Sequence, residues 1–599
     1  MTRTFRHVVA LVWRAAPRTA GLSPLLALTA GLTPVVTAWL TKLAIDDLVA
    51  GAPARPLLGL AAALVAVAVT AALVPHCGEY LRVTLGRTVG AHSLDRLFTA
   101  VGRFSGLARF EDPAFQDRLR LAQQATATSS QLVDDAQQAL RGLLTVAGFA
   151  GSLVALNPVM AGVVALAAVP TVAAELSLAR QRADLMWRVG PVERREAFYA
   201  QLLGGTAAAK EIRLFGFGGW LRDRMLAERR DADRAKRVMD ARDARTQSVL
   251  SGAAALVAGG GLVWALLAVR AGGLTVGDLS MFVAAVAGVQ AALSGVISQY
   301  AGIHHQLLLF THYLDVVTAG PDLPEPDRPC AVPPLRDGIE LRDVWFRYSD
   351  EHPWVLRGVN LHIPHGTAVA LVGLNGAGKS TLVKLLCRFY DPTAGTVYWD
   401  GVDIRRFRPE DLRARLGAVF QDYVTYDLTA RENIAVGDLG ALADDERITG
   451  AARLAGVHDV LRGLPRGYDT LLTRMFFDHA DKADADTGVV LSGGQWQRLA
   501  LARAFLRERP DLVMLDEPSA GLDAEAEHEL HRRIRRHRGR HTSLLISHRL
   551  AAVRDADLIV VLADGVVAEL GAHPALVARG GQYARLFALQ ASGYREEAA

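Results

Sequence analysis

The chain has 599 residues, 51% of them hydrophobic, with 66 Lys plus Arg against 62 Asp plus Glu and a formal net charge of +4. That length exceeds what one hydrophobic core accommodates, and a mean hydropathy of +0.19 is too apolar for a wholly soluble protein, so at least two domains are expected, one of them in a bilayer. The basic excess does not call for nucleic acid, because arginine-rich segments beside membrane spans account for it, and three scattered cysteines without C-x-x-C spacing argue against a disulfide-built fold.

In chain order, the N-terminus mixes basic residues with a short apolar run that Arg14 and Arg18 interrupt. It reads as an amphipathic helix on a membrane surface rather than a signal peptide. Six stretches then qualify, or nearly do, as spans of about 20 apolar residues: Gly21–Ile45, Leu57–Pro75, Leu140–Leu156, Val159–Leu178, Val249–Val269 and Leu279–Ile303. Long arginine-rich stretches of helical pattern separate the second from the third and the fourth from the fifth. Arg194, Arg195, Arg213, Arg229, Arg230 and Arg237 crowd the later of these, whereas the short connections carry little beyond Arg55 and Arg270. The positive-inside rule therefore puts both long excursions, and both termini, in the cytoplasm of what reads as a bacterial inner-membrane protein.

Each excursion has a tip expected to form a short transverse helix that touches something soluble. One is Phe110–Phe115, where Pro113 suits a helix start; the other is Leu203–Gly216, where paired glycines break the run. Within the spans, Glu175 reads as an acid that snorkels to the interface or serves a function. Gln290, Ser294 and Ser298 share one helix face, which either lines a cavity or glues helices together.

The proline-rich segment 319–337 marks a semi-rigid linker, which divides the chain into a membrane domain, 1–318, and a mixed α/β domain, 338–599. In the latter, "GLNGAGKST" fits the loop G-x-x-x-x-G-K-[ST] that wraps a di- or triphosphate. Its backbone N–H groups close around the phosphates while the following helix points its positive end at them. Gly373, Asn375, Gly376, Gly378, Lys379, Ser380 and Thr381 are the candidate ligands of ATP. The chain has only six lysines, so Lys379 stands out, and its compact ammonium reaches phosphates that a planar guanidinium would not fit. Downstream, "DLVMLDEP" ends an apolar strand in two carboxylates. Asp516 is placed to hold Mg²⁺, with Ser380, and Glu517 to act as general base toward an attacking water.

"LSGGQ" at Leu491–Gln495 opens a helix, and its Ser492, Gly493, Gly494 and Gln495 make a second phosphate-facing terminus. This stretch resembles the signature of ATP-binding-cassette proteins, and the whole chain resembles an exporter-type half-transporter. The resemblance implies an all-α domain of six transmembrane helices (type I exporter-like, or type IV) fused to a P-loop ATPase domain. It further implies that Tyr348 stacks on adenine, that Gln421 senses Mg²⁺ and water, that Asp523 contacts a partner cassette, and that His548 contacts the γ-phosphate. The signature then completes the site of a second half-transporter, identical or different, in a membrane-embedded pair that uses ATP and Mg²⁺ and no nucleic acid. The expected activity is ATP-driven export of a lipophilic, lipid or peptide cargo by alternating access. An importer on the same fold and an ATP-gated receptor or channel are the competing readings. The acidic segment Phe476–Val490 departs from the family pattern and is expected to be a solvated insertion or a set of unusual coupling contacts.

Overall fold

The computed structural model describes residues 2–473, 488–507, 510–518, 529, 532–533 and 541–596. Contacts divide the chain into two units. The first comprises Met1–Gly102 and Ala114–Ala319, the second Arg103–Pro113 and Gly320–Ala599. Sequence reading placed Arg103–Pro113 in the membrane half; by its contacts this short stretch belongs to the second unit.

The first unit is helical: α1 (Thr2–Ala15), α2 (Pro17–Val49), α3 (Ala54–Val101), then, beyond Pro113, α5 (Pro113–Ala127), α6 (Ser129–Leu156), α7 (Pro158–Gly204), α8 (Thr206–Phe215), α9 (Gly218–Arg270) and α10 (Val276–Val317). The single turn α4 (Ala108–Glu111) lies in the second unit. Among the described residues, five helices are long and apolar enough to cross a bilayer: α2, α3, Gln131–Leu156 within α6, α9 and α10. The expected fourth span, Val159–Leu178, opens α7, where the side chains of several residues, Glu175 among them, lie outside the described residues. Pro24 and Pro34 in α2 and Pro75 in α3 do not end their helices, since neighbouring helices can satisfy a freed carbonyl.

Small residues let these helices approach. A Cβ on Gly288 of α10 would stand 2.2 Å from the ring of Phe149 on α6, so only glycine admits that ring. Around it pack Met281, Phe282, Ala285 and Leu153, each nearly inaccessible. Outside the apolar stretches α7 and α9 are joined by a ladder of ion pairs: Arg182 to Asp243 at 2.6 Å, Lys236 to Glu193 at 2.7 Å, and Arg195 to Glu228 at 2.8 Å. Half-exposed pairs of this kind contribute about 0–1 kcal/mol each, so the ladder sets register more than stability. Gly204 ends α7, and Gly216 with φ +69 ends α8, so the second tip holds a separate ten-residue helix between the paired glycines and Gly216.

The second unit holds two sheets. One is antiparallel, in the order β2 (Leu356–Pro364), β1 (Gly338–Phe346), β4 (Ala394–Trp399), β5 (Val402–Asp403). The other runs β10 (Val566–Gly571), β9 (Leu558–Ala563), β3 (Ala368–Gly373), β8 (Thr542–Ile546), β7 (Leu512–Asp516), β6 (Leu416–Val419). Strands β9, β3, β8, β7 and β6 are parallel, so their carboxyl ends share one edge. "AVALVG" has five buried residues in succession, the pattern of a strand covered on both faces. The proline-rich segment packs on the rest of the second unit. Leu323, Val332 and Leu335 are buried, the Trp399 indole donates to the Pro333 carbonyl, and the Arg388 guanidinium donates to that of Pro324.

Candidate nucleotide site

Four neighbouring parallel strands deliver residues far apart in sequence to one edge, at the carboxyl ends where ligands of open α/β sheets bind. After β3 comes the phosphate loop and α11 (Lys379–Leu386); β7 ends in Asp516 and leads to Glu517; β8 leads to His548; β6 leads to Gln421. The pairings Leu371 with Ile546, Asp516 with Ile546, and Val419 with Leu515 fix this alignment.

The loop is built by its glycines. Gly376 and Gly378 have φ of +82° and +100°, and a Cβ on Gly378 would lie 2.6 Å from Leu356 and 3.2 Å from the Val355 carbonyl. Gly378→Ala is therefore expected to weaken ATP binding by more than about ten-fold, because left-handed backbone costs an L-residue about 1–2 kcal/mol before the clash is counted. Equilibrium binding of a fluorescent ATP analogue reads this, and wild-type affinity in the variant would refute it. Asn375 is exposed at the tip of the loop. Lys379 folds back so that Nζ donates to the carbonyls of Gly373 and Leu374, both at 2.9 Å. Burial lowers its pKa, with Glu517 and Asp516 opposing in part.

The Ser380 hydroxyl donates to Asp516 Oδ2 at 3.2 Å. Burial holds the Asp516 carboxyl above its ordinary range; Ser380 and Lys379 oppose this and the adjacent Glu517 charge adds to it. A hydroxyl and a buried carboxylate set side by side beneath a phosphate loop are hard oxygen donors, and they suit Mg²⁺. Glu517 stands at φ +48 with its amide donating to Ile546 O at 2.9 Å, and its own carbonyl accepts from Gln497 Nε2 at 3.0 Å. Its carboxylate is shared: Oε2 accepts from Gln421 Nε2 at 3.0 Å, and Oε1 meets His548 Nδ1 at 3.0 Å.

Tyr348 sits on the adjoining side, its hydroxyl 3.0 Å from Thr381 Oγ1, with Phe346 and Tyr390 edge-on at 5.0 and 5.4 Å. Ser492 caps a second helix, α12 (Gly493–Phe505), in a capping box with Gln495, and Gly493 O accepts from the Tyr423 hydroxyl at 3.2 Å. Among the described residues, Ser492, Gly493, Gly494 and Gln495 make no hydrogen bond to Gly373–Thr381. Asp523 and most of Phe476–Val490 lie outside the described residues. Gln497 and the trio Glu111, Lys384 and Tyr390 were not found by sequence reading. Lys384 carried a signal nonetheless, being another of the six lysines and five residues beyond Lys379.

Residues 356–520 match the ABC transporter family. The second unit carries an ABC transporter domain. The chain is 42% identical over 275 residues, 46% of its length and 43% of the relative, to the ATP-dependent lipid A-core flippase of Syntrophus aciditrophicus. It is 44% identical over 260 residues, 43% of this chain and 34% of the relative, to the cyclolysin secretion/processing ATP-binding protein CyaB of Bordetella pertussis. The chain thus spans less than half the length of either curated relative. Over nearly its full length, 96% of this chain and 98% of the other, the fold is that of a bacterial Atm1-family ABC exporter solved with ATP bound, at 24% identity and a TM-score of 0.82. The apolar helices ahead of the ABC transporter domain make the chain a membrane protein.

Proposed function

We propose that this chain is one half of an ATP-driven exporter, working as a pair of chains in a bacterial inner membrane with both termini cytoplasmic. The observation that carries this reading is the meeting of Lys379, Ser380, Asp516, Glu517, Gln421 and His548 at four adjoining strand ends, in a chain whose other half is apolar helices. Lys379 and the loop amides hold the phosphates, Ser380 and Asp516 hold Mg²⁺ with Gln421 nearby, Tyr348 stacks on the base, and Glu517 accepts a proton from the attacking water. His548, already against Glu517, steadies the γ-phosphate. Mg²⁺, when bound, supplies positive charge for the phosphoryl oxygens as bond cleavage proceeds.

Among the described residues the helix end at Ser492, Gly493 and Gly494, its Ser492 amide already engaged by Gln495, makes no bond to the phosphate loop of its own chain, so a second chain is the natural recipient. ATP then favours the closed pair because only that state presents both halves of its site, and this differential affinity drives the membrane helices. The cargo is a lipophilic compound, lipid or peptide; of the two relatives, one is named a lipid A-core flippase and the other a cyclolysin secretion/processing protein.

Purified protein in proteoliposomes tests the reading. ATP added outside vesicles whose cassettes face outward is expected to drive labelled lipophilic cargo into the lumen, with vanadate stopping both hydrolysis and uptake. Cargo leaving the lumen instead would make the chain an importer, and ATP binding without vanadate-sensitive hydrolysis would make it a gated receptor or channel.

A further inference from the structure

The stretch Arg103–Pro113 is clamped within the second unit. Asp322 accepts from the backbone amides of Ser105 and Gly106, both at 2.8 Å, and the Leu107 amide donates to Phe389 O at 3.1 Å. Arg413 Nη2 donates to Ser105 O at 2.6 Å. So held, the α4 turn directs Glu111 at two groups: Lys384 Nζ donates to Oε1 at 2.8 Å and the Tyr390 hydroxyl to Oε2. Both lead to Tyr348. Lys384, on the same face of α11 as Thr381, places its ammonium 5.2 Å from the centre of the Tyr348 ring and 5.8 Å from that of Tyr390. Tyr390 meets Tyr348 at 88°. Tyr348 is 38% exposed and so retains surface for a base.

A cation over one face draws electron density from an aromatic ring, and the effect depends on where the ammonium is held. A free lysine has four side-chain torsions and would spend most of its time in water. Glu111 removes that freedom. Burial alone would lower the Lys384 ammonium; the Glu111 bond, with Tyr348, more than offsets it and holds the pKa above that of an ordinary lysine.

We infer that Glu111 is a positioning residue for the adenine side of the site: by fixing Lys384 and Tyr390 it sets the orientation and polarisation of the Tyr348 ring. Base recognition is thereby conditional on Arg103–Pro113 being seated. The inference rests on the proposed reading only in taking Tyr348 as the ring that stacks on adenine.

Three variants of the full chain in nanodiscs test it: Glu111→Gln, Lys384→Met, and the exchange Glu111→Lys with Lys384→Glu. KM for ATP is expected to rise about three- to ten-fold in each single variant, with kcat at saturating ATP within about two-fold of wild type. The inhibition constant of tripolyphosphate, which has no base, should not move, and the exchange, which keeps the ion pair but sets a carboxylate in place of the ammonium beside Tyr348, should do no better than the single variants. An unchanged KM for ATP, an equal loss of tripolyphosphate affinity, or an exchange that restores wild-type KM would overturn the positioning role. Should Glu111→Gln not fold, Lys384→Met reads the same split. Wild-type protein that neither binds nor hydrolyses ATP would sink the functional reading itself, a result separable from these.

Discussion

Glu517→Gln is expected to bind ATP and hold it, with kcat lower by about 10²- to 10⁴-fold, the usual worth of a positioned general base. The substitution keeps the shape of the side chain and removes only its capacity to accept a proton. The carboxylate sits between Gln421 at 3.0 Å and His548 at 3.0 Å, and its backbone is pinned on both sides, by Ile546 O and by Gln497 Nε2. Holding a non-glycine residue at φ +48 costs on the order of 1 kcal/mol, and the neighbouring strands offset that to fix the carboxylate at the edge of the sheet. Because the Ser380 to Asp516 contact does not involve Glu517, metal and nucleotide capture should survive the change. Nucleotide extracted from the washed variant after incubation with ATP should be mostly ATP, whereas wild type should yield ADP. Turnover in the variant within ten-fold of wild type would remove Glu517 as the base.

What sequence made legible was what is local. The phosphate loop is nine contiguous residues whose glycines each answer a backbone requirement, and "DLVMLDEP" is a strand with its acids at the end, so chemistry and spacing coincide in both. Pro113 opens α5 and Gly216 closes α8 for equally local reasons. The meeting of Gln421, Glu517 and His548 was of another kind. It depends on the strand order β3-β8-β7-β6, which no periodicity encodes, and only family resemblance brought those residues together beforehand. Glu111 shows the limit most clearly. Nothing in "ARFEDPAF" distinguishes a solvated acid from one that reaches Lys384, 273 positions on. The packing of the proline-rich segment was illegible for a related reason: composition reports stiffness, while burial of Leu323, Val332 and Leu335 depends on surface supplied from elsewhere.

Arg388→Ala is expected to destabilise the second unit by about 3–5 kcal/mol, the cost typical of breaking a buried charge network from one side. The Arg388 side chain has no solvent exposure, and each of its three nitrogens donates a hydrogen bond. Nη1 donates to Phe407 O at 2.7 Å, Nη2 to Pro324 O at 2.8 Å, and Nε to Asp391 Oδ1 at 3.1 Å. Alanine would strand two carbonyls and a carboxylate that is itself largely buried, and would open a void beside Phe407, another residue with no exposure. Lysine would restore charge but not the planar fork that serves three acceptors, so Arg388→Lys should recover only part of the loss. At roughly 2–4 °C per kcal/mol for a unit of this size, the calorimetric transition of the nucleotide-binding half should fall by about 10 °C in the alanine variant. Since Pro324 and Asp391 are tied through this one guanidinium, the same variant should expose the segment around Pro324 to limited proteolysis while the fold still holds at low temperature. A transition displaced by less than 2 °C, with that segment still protected, would mean that water replaces the guanidinium at little cost and that the linker is anchored mainly by its buried leucines.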